Sequence, residues 1–135
     1  MNKITPAEAK ALNENFVKTR SKELNKIVES ETGNPNDKDA ISSWFSLGDL
    51  KEYIAFVEAE AKAKNISVDG LRVYFGAYSK NDKKPDKKGL STVFFVPTQN
   101  KLQSNEDAIV SSDITDIDGM NEGMQGNPPS AQYPQ

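Results

Sequence analysis

Three side chains of one predicted strand have types and spacing that suit contact with an anionic, planar ligand. Arg72, Tyr74 and Tyr78 fall at alternate positions, so a pleated strand places them on one face. The loop that follows carries Lys83 and Lys84 among its five lysines. Aromatic rings with an arginine on an open sheet stack on bases, and lysines contact phosphates. Single-stranded nucleic-acid binding is therefore one hypothesis, although the Lys/Arg-Gly start of the common RNA-binding signature is missing.

The same face has a second interpretation, in which another part of the fold covers it. Trp44 and either Phe94 or Phe95 would extend the face, and the tyrosine hydroxyls would reach a polar rim. We favour a cover formed by the first helix or the C-terminal segment, because a long amphipathic helix must bury its apolar stripe. In this interpretation the lysine loop is a solvated hairpin tip. Exposed ion pairs in such a loop typically stabilise the fold by less than about 1 kcal/mol each.

The residue types that are missing exclude several kinds of chemistry. The 135 residues include no cysteine and no histidine, which excludes disulfides, thiolate nucleophiles, imidazole bases and zinc sites of the usual type. Among the carboxylates, Glu58 and Glu60 fall on different faces of a predicted helix, so no acid–base pair is apparent. An enzyme with a carboxylate or Tyr/Lys site that the pattern does not locate remains a third hypothesis.

Alternating aspartates before Gly119 are similar to a calcium-binding loop, but the ligand positions do not fit. With Gly119 at the invariant glycine of such a loop, Ile114 takes the first ligand position and Gln125 the twelfth. We therefore predict no EF-hand, and no metal or cofactor.

The elements that must position these residues begin with a long first helix. Thr5, Pro6 and Glu8 predict a capping box with proline at the first helical position, and Gly33 predicts the end. The apolar stripe is interrupted at 19–21, which indicates a break or bend in the helix there.

A strand–helix–strand–strand order is predicted after this helix. Residues 41–45 favour a short strand, Ser46 caps a helix that ends near Asn65, and 71–78 and 90–96 favour two strands of a hairpin. A right-handed crossover would bring the first of these strands into the same sheet. A proline is expected to end the last strand.

The charge is divided unevenly along the chain. Residues 1–98 hold 16 basic and 14 acidic side chains and carry +2, whereas residues 99–135 carry −5, out of a total of −3. The latter segment is also rich in glycine and proline, which favours an irregular or partly disordered tail. The longest apolar runs are far shorter than the roughly 20 residues that cross a bilayer. No secretory signal is apparent, so a cytoplasmic protein without membrane contact is expected.

Three stretches of the chain resemble one set of small bacterial proteins. The stretches are Trp44-Phe45-Ser46-x-x-Asp49-Leu50-x-x-Tyr53-Ile54, Gly70-Leu71-Arg72-Val73-Tyr74-Phe75-Gly76-Ala77-Tyr78 and Thr92-Val93-Phe94-Phe95-Val96-Pro97. No activity is established for that set, so the resemblance implies a fold and no function. Members carry cysteine beside a Pro-Pro pair near the end, and Asn127-Pro128-Pro129-Ser130 has none. A thiol role therefore does not carry over.

Together these patterns predict an α+β domain over residues 1–98 with an acidic tail over 99–135. The expected order is a long N-terminal helix, then strand–helix–strand–strand, with a small mixed sheet in two layers. The function we expect is a small non-enzymatic protein-interaction or adaptor module. Its partner would be another protein or a second copy bound through the first helix, and nucleic acid is the less favoured partner.

Overall fold

The computed structural model describes residues 1–102 and 109–135 and confirms the α+β class, with a long N-terminal helix and a further helix. The bounds are α1 Pro6–Phe16, a π-helical turn Val17–Ser21, α2 Lys22–Thr32, β1 Ser43–Trp44, α3 Leu47–Ala63, β2 Val68–Ala77, β3 Ser91–Leu102, β4 Ile109–Asp113 and β5 Met124–Gln125. Within these residues no helix has the length and apolar character needed to cross a membrane.

The helix termini follow the local signals of the sequence. The Glu8 amide donates to Thr5 Oγ1 at 3.2 Å, and the Thr5 amide donates back to the Glu8 carboxylate at 2.7 Å. The π-helical turn covers the predicted break at 19–21, and Gly33 ends α2 with a left-handed φ of +74°. Ser46 Oγ likewise caps α3 by accepting from the Asp49 amide at 2.9 Å.

Strand pairing differs from the prediction. The chain forms a two-stranded sheet β1–β5 and a three-stranded sheet β2–β3–β4, so the predicted crossover that joins β1 to the larger sheet is wrong. β1 pairs antiparallel with β5, and β3 pairs antiparallel with β4, so two small sheets replace the single mixed one. The reason is long-range: β1 is only two residues long, and its partner lies some 80 residues further along the chain.

Strand β3 does not end at Pro97. The Pro97 carbonyl accepts from the Ile114 amide at 2.8 Å, and from Thr98 onward β3 pairs with β4. A proline lacks only the donor, so a strand continues through it where its carbonyl still finds a partner.

The chain divides into two compact units. Unit 1 comprises Met1–Trp44, Ala77–Thr92 and Met124–Gln135, and unit 2 comprises Phe45–Gly76 and Val93–Gly123. Both units draw on residues from before and after the predicted boundary at 98. In unit 1, Val28, Ala40 and Leu90 form the buried cluster.

Unit 2 is built around a buried cluster that includes residues of the predicted tail. Tyr53, Val57 and Ala61 of α3 pack with Ile114 and Ile117, which are 3% and 5% exposed. The sequence predicts an irregular segment at 99–135, whereas its described residues supply β4, β5 and part of this core; residues 103–108 lie outside the described residues. Aspartates surround Ile114 and Ile117 in the sequence, and this acidic composition predicted an irregular segment. The composition therefore gave no sign that these two isoleucines belong to the core.

Candidate functional site

Two of the residues singled out by the sequence, Arg72 and Tyr74, meet on one face of β2 in unit 2. Arg72 Nη1 lies 2.5 Å from the Asp113 carboxylate, and Arg72 Nη2 donates to the Ser111 carbonyl at 2.9 Å. The Tyr74 hydroxyl donates to the other Asp113 oxygen. The Tyr74 ring stacks on Phe94 with centroids 5.4 Å apart, so Phe94 joins the face as one of the two predicted alternatives.

This arrangement binds the cationic and aromatic groups to β4. The Tyr74 hydroxyl and then the Asp113 carboxylate raise the pKa of the Arg72 guanidinium, which keeps it charged and paired. A guanidinium that already forms an ion pair with a carboxylate has less charge and fewer N–H donors with which to bind a phosphate. Nucleic-acid binding through this face stays a prediction, and the pairing of Arg72 does not favour it.

The other residues singled out by the sequence lie in unit 1. The Tyr78 ring is half-buried, packs against the Val28 cluster and has Lys87 Nζ 5.1 Å from its centroid. Lys83 and Lys84 are exposed in the loop between β2 and β3, where the Lys84 amide donates to Asp82 at 2.9 Å. Trp44 belongs to the β1–β5 sheet, whereas Arg72 and Tyr74 belong to the β2–β3–β4 sheet.

Strand β2 shifts its alternation near its start. Val68 and Leu71 both pack against the core of unit 2, while Asp69 and Arg72 both reach β4 on the opposite face. Strict alternation would place residues three apart on opposite faces, so the alternation of β2 is interrupted between residues 68 and 72.

Asp69 accepts hydrogen bonds from two hydroxyl groups. Thr98 Oγ1 donates to Asp69 Oδ1 at 2.5 Å, and Ser111 Oγ donates to Asp69 Oδ2 at 2.6 Å. The hydrogen bonds from Ser111 and then from Thr98 lower the pKa of the Asp69 carboxyl below its ordinary value of 3.8. Asp69 thereby ties β2 to β3 and β4.

The lowered pKa of Asp69 predicts a pH dependence of stability. The ionised carboxylate stabilises the folded state above the ordinary pKa, and that contribution is lost as the pH falls through the lower folded-state pKa. We expect Asp69→Asn to reduce the free energy of unfolding at pH 7, and the difference from wild type to shrink toward pH 2. Urea denaturation across this range measures it, with exposed Asp116→Asn as the control that should leave the profile unchanged. A deficit of the same size at pH 2 and pH 7 would contradict the role assigned to Asp69.

A groove lies between α3 and the first half of β2. It has a volume of about 190 Å³ and is lined by Ile54, Val57 and Glu58 of the helix and by residues 68–71 of the strand. A second, wider depression of about 500 Å³ shares Glu58 and Val68 with it and continues to the turn at Asn65. Because the two cavities share these lining residues, we call them together the α3–β2 groove.

The strand that borders this groove lies at the edge of its sheet. In the order β2–β3–β4 the outer edge of β2 pairs with no other strand of the described residues. β2 is ten residues long and contains neither lysine nor proline, the residues that commonly protect such edges. Phe75 is 91% exposed and Val73 is 49% exposed.

Sequence reasoning missed this surface for an identifiable reason. Alternation along 71–78 places Leu71, Val73 and Phe75 on the face opposite Arg72 and Tyr74, and the pattern alone does not show how much of that face is covered. Of these three, Leu71 packs against the buried cluster, whereas Val73 and Phe75 are exposed.

Comparison of the chain with known protein families, curated proteins and solved structures finds no match. The resemblance to a set of small bacterial proteins therefore stays a prediction.

Proposed function

We propose that the protein is a small, non-enzymatic interaction module of the cytoplasm that binds an extended segment of a partner protein. The segment adds as a strand to the outer edge of β2, beside the α3–β2 groove. The observation that carries this proposal is a ten-residue edge strand without lysine or proline, on which Phe75 is 91% exposed.

Main-chain hydrogen bonds supply the affinity of such an arrangement. At an unpaired strand edge, about every second residue directs its N–H and C=O groups outward. A peptide that pairs with them satisfies these groups in both chains and needs no particular side chains to do so. This mode suits a protein without histidine or cysteine, because binding by the backbone requires no reactive group.

Side chains next to the edge supply the selectivity. Ile54 is 42% exposed on α3 and lines the groove, and Val73 and Phe75 lie further along β2. Alternate residues of an added strand would face these apolar groups, so the expected partner has Val, Ile, Leu or Phe at every second position. Glu58 and Lys62 on the helix side of the groove carry opposite charges and favour neither an acidic nor a basic segment.

A selection with a random dodecapeptide phage library tests the proposal. We expect the intact protein to enrich peptides with alternating apolar residues, and Ile54→Glu or Phe75→Glu to weaken their binding at least tenfold, about 1.4 kcal/mol. Fluorescence anisotropy with the enriched peptide measures this. Leu12→Glu is the matched control, because Leu12 is 65% exposed on α1 in unit 1 and should leave binding unchanged.

The backbone contribution has a test of its own. N-methylation of alternate residues in the enriched peptide removes the donors of one edge, and one of the two methylation registers should abolish binding while the other retains it. Binding that survives both registers, or that survives both glutamate variants, would contradict strand addition. A library that enriches no peptide would contradict it as well.

Self-association through the first helix stays a prediction about partners. No residue of α1 is buried. Ile4 before α1, Leu12 on α1 and Ile27 on α2 are 59%, 65% and 54% exposed. These residues could contact a second copy of the chain without involving the α3–β2 groove.

A further inference from the structure

Unit 1 contains a cleft whose lining includes Trp44, the only tryptophan in the sequence. Ser43 faces Gln125 and Trp44 faces Met124 in the β1–β5 ladder. Because paired residues of a ladder share a face, Trp44 and Met124 lie side by side, and they are 60% and 63% exposed. The cleft has a volume of about 560 Å³, within the range of roughly 300–1,000 Å³ usual for small-ligand sites.

The lining of this cleft carries no ionisable side chain, although 27% of the residues of the chain are charged. Besides the tryptophan and methionine it consists of serine, glycine and carboxamide side chains: Ser42, Ser43, Gln125, Gly126, Asn127 and Gln135. An anionic ligand would find no cationic side chain in this lining to replace its hydration. The lining therefore disfavours an anion, and its amides and hydroxyls favour a ligand that forms hydrogen bonds.

The polar rim is held in place by its own contacts. Gln135 Nε2 donates to Ser42 Oγ and to the Ala131 carbonyl, both at 3.2 Å. A Cβ at Gly126 would lie 3.0 Å from the Pro128 carbonyl oxygen and 3.2 Å from the Gln135 amide, so glycine permits the close approach of these segments. These contacts hold the carboxamide of Gln135 in the lining of the cleft.

We propose that this cleft binds a neutral sugar ring, with Trp44 as the stacking surface. A pyranose has one apolar face of C–H groups and a rim of hydroxyls, which matches an exposed indole surrounded by carboxamides and hydroxyls. Met124 extends the apolar floor beside the indole, and Asn127 and Gln135 bind ring hydroxyls. The site lies in unit 1, does not involve the α3–β2 groove, and is independent of the proposed peptide binding.

Trp44 makes the test direct, because the fluorescence of a single tryptophan reports on the cleft. Titration of the full chain with neutral oligosaccharides (cello-, malto-, manno- and chito-hexaose) should change the emission of Trp44 in a saturable way for at least one of them. Oligogalacturonate is the charged comparison and should not bind. No saturable change with any neutral oligosaccharide, or equal binding of oligogalacturonate, would overturn the proposal.

Variants separate stacking from a structural effect. By saturation-transfer NMR and calorimetry, Trp44→Ala should weaken the sugar at least tenfold, whereas Trp44→Phe should retain part of the affinity. Phe56→Ala removes a 39% exposed aromatic ring from unit 2 and should leave sugar binding unchanged. Equal affinity in Trp44→Ala and wild type would contradict the site, as would loss of binding in Phe56→Ala.

Discussion

Replacement of Asp39 by alanine is expected to destabilise the protein by about 3–5 kcal/mol. Asp39 is 2% exposed, and its carboxylate accepts from the Ser91 amide at 2.6 Å, from Ser91 Oγ at 2.5 Å and from the Ala40 amide at 2.8 Å. Alanine leaves all three donors without this acceptor inside unit 1. Buried donors without a partner cost more than the net value of the bonds they once made.

Two further variants identify the cause of this loss. Asp39→Asn keeps the shape but presents an NH2 group to a donor, so an intermediate loss is expected. Asp37→Ala is the control, because Asp37 is less buried and accepts one side-chain bond, from Asn34 at 3.0 Å; a loss below about 1 kcal/mol is expected. Urea denaturation followed by circular dichroism measures all three. A loss for Asp39→Ala no larger than that for Asp37→Ala would contradict the role of the carboxylate.

Gly119→Ala is expected to destabilise unit 2 by about 2–3 kcal/mol. A Cβ at this position would lie 2.6 Å from the Phe95 carbonyl oxygen, which is closer than any relaxed contact allows. That oxygen also accepts from the Met120 amide at 2.9 Å. The backbone on either side would have to separate, and the Phe95–Met120 bridge would lengthen or break.

A second glycine provides the matched control for this substitution. Gly48 lies in the first turn of α3, where a Cβ would meet only Ser46 Oγ at 3.7 Å. Gly48→Ala should therefore stabilise the protein by about 0.5–1 kcal/mol, since alanine favours the helix. Thermal melts of both variants test the pair, and a Gly119→Ala protein that melts at or above wild type would contradict the steric argument.

The helices could be predicted from the sequence because their signals are local. Thr5 with Glu8, the interruption at 19–21 and Gly33 each act within a few residues, and each appears in the structure at the predicted place. Pairing of β1 with β5 could not be predicted in this way, because neither two-residue strand carries a periodic pattern. Only contacts between distant parts of the chain define them.

The candidate sites show the same limit. Alternation placed Arg72 and Tyr74 on one face, and they do share it, but their common partner Asp113 lay in a segment whose composition indicated a loop. Gly119 attracted attention as part of a calcium-loop pattern, whereas the structure explains it by the approach of the Phe95 carbonyl. The residue types were informative in both cases, and the partners were not visible from spacing.

The interleaved segments of the two units have a consequence for synthesis on the ribosome. Unit 1 includes Met1–Trp44, which precede all of unit 2, yet it also needs the segment Met124–Gln135, which leaves the ribosome after every residue of unit 2. Unit 2 has all of its residues once Gly123 has emerged. Unit 2 is therefore the first unit to have its complete set of residues. The N-terminal helix of unit 1 cannot make its contacts with Met124–Gln135 until that segment has been translated.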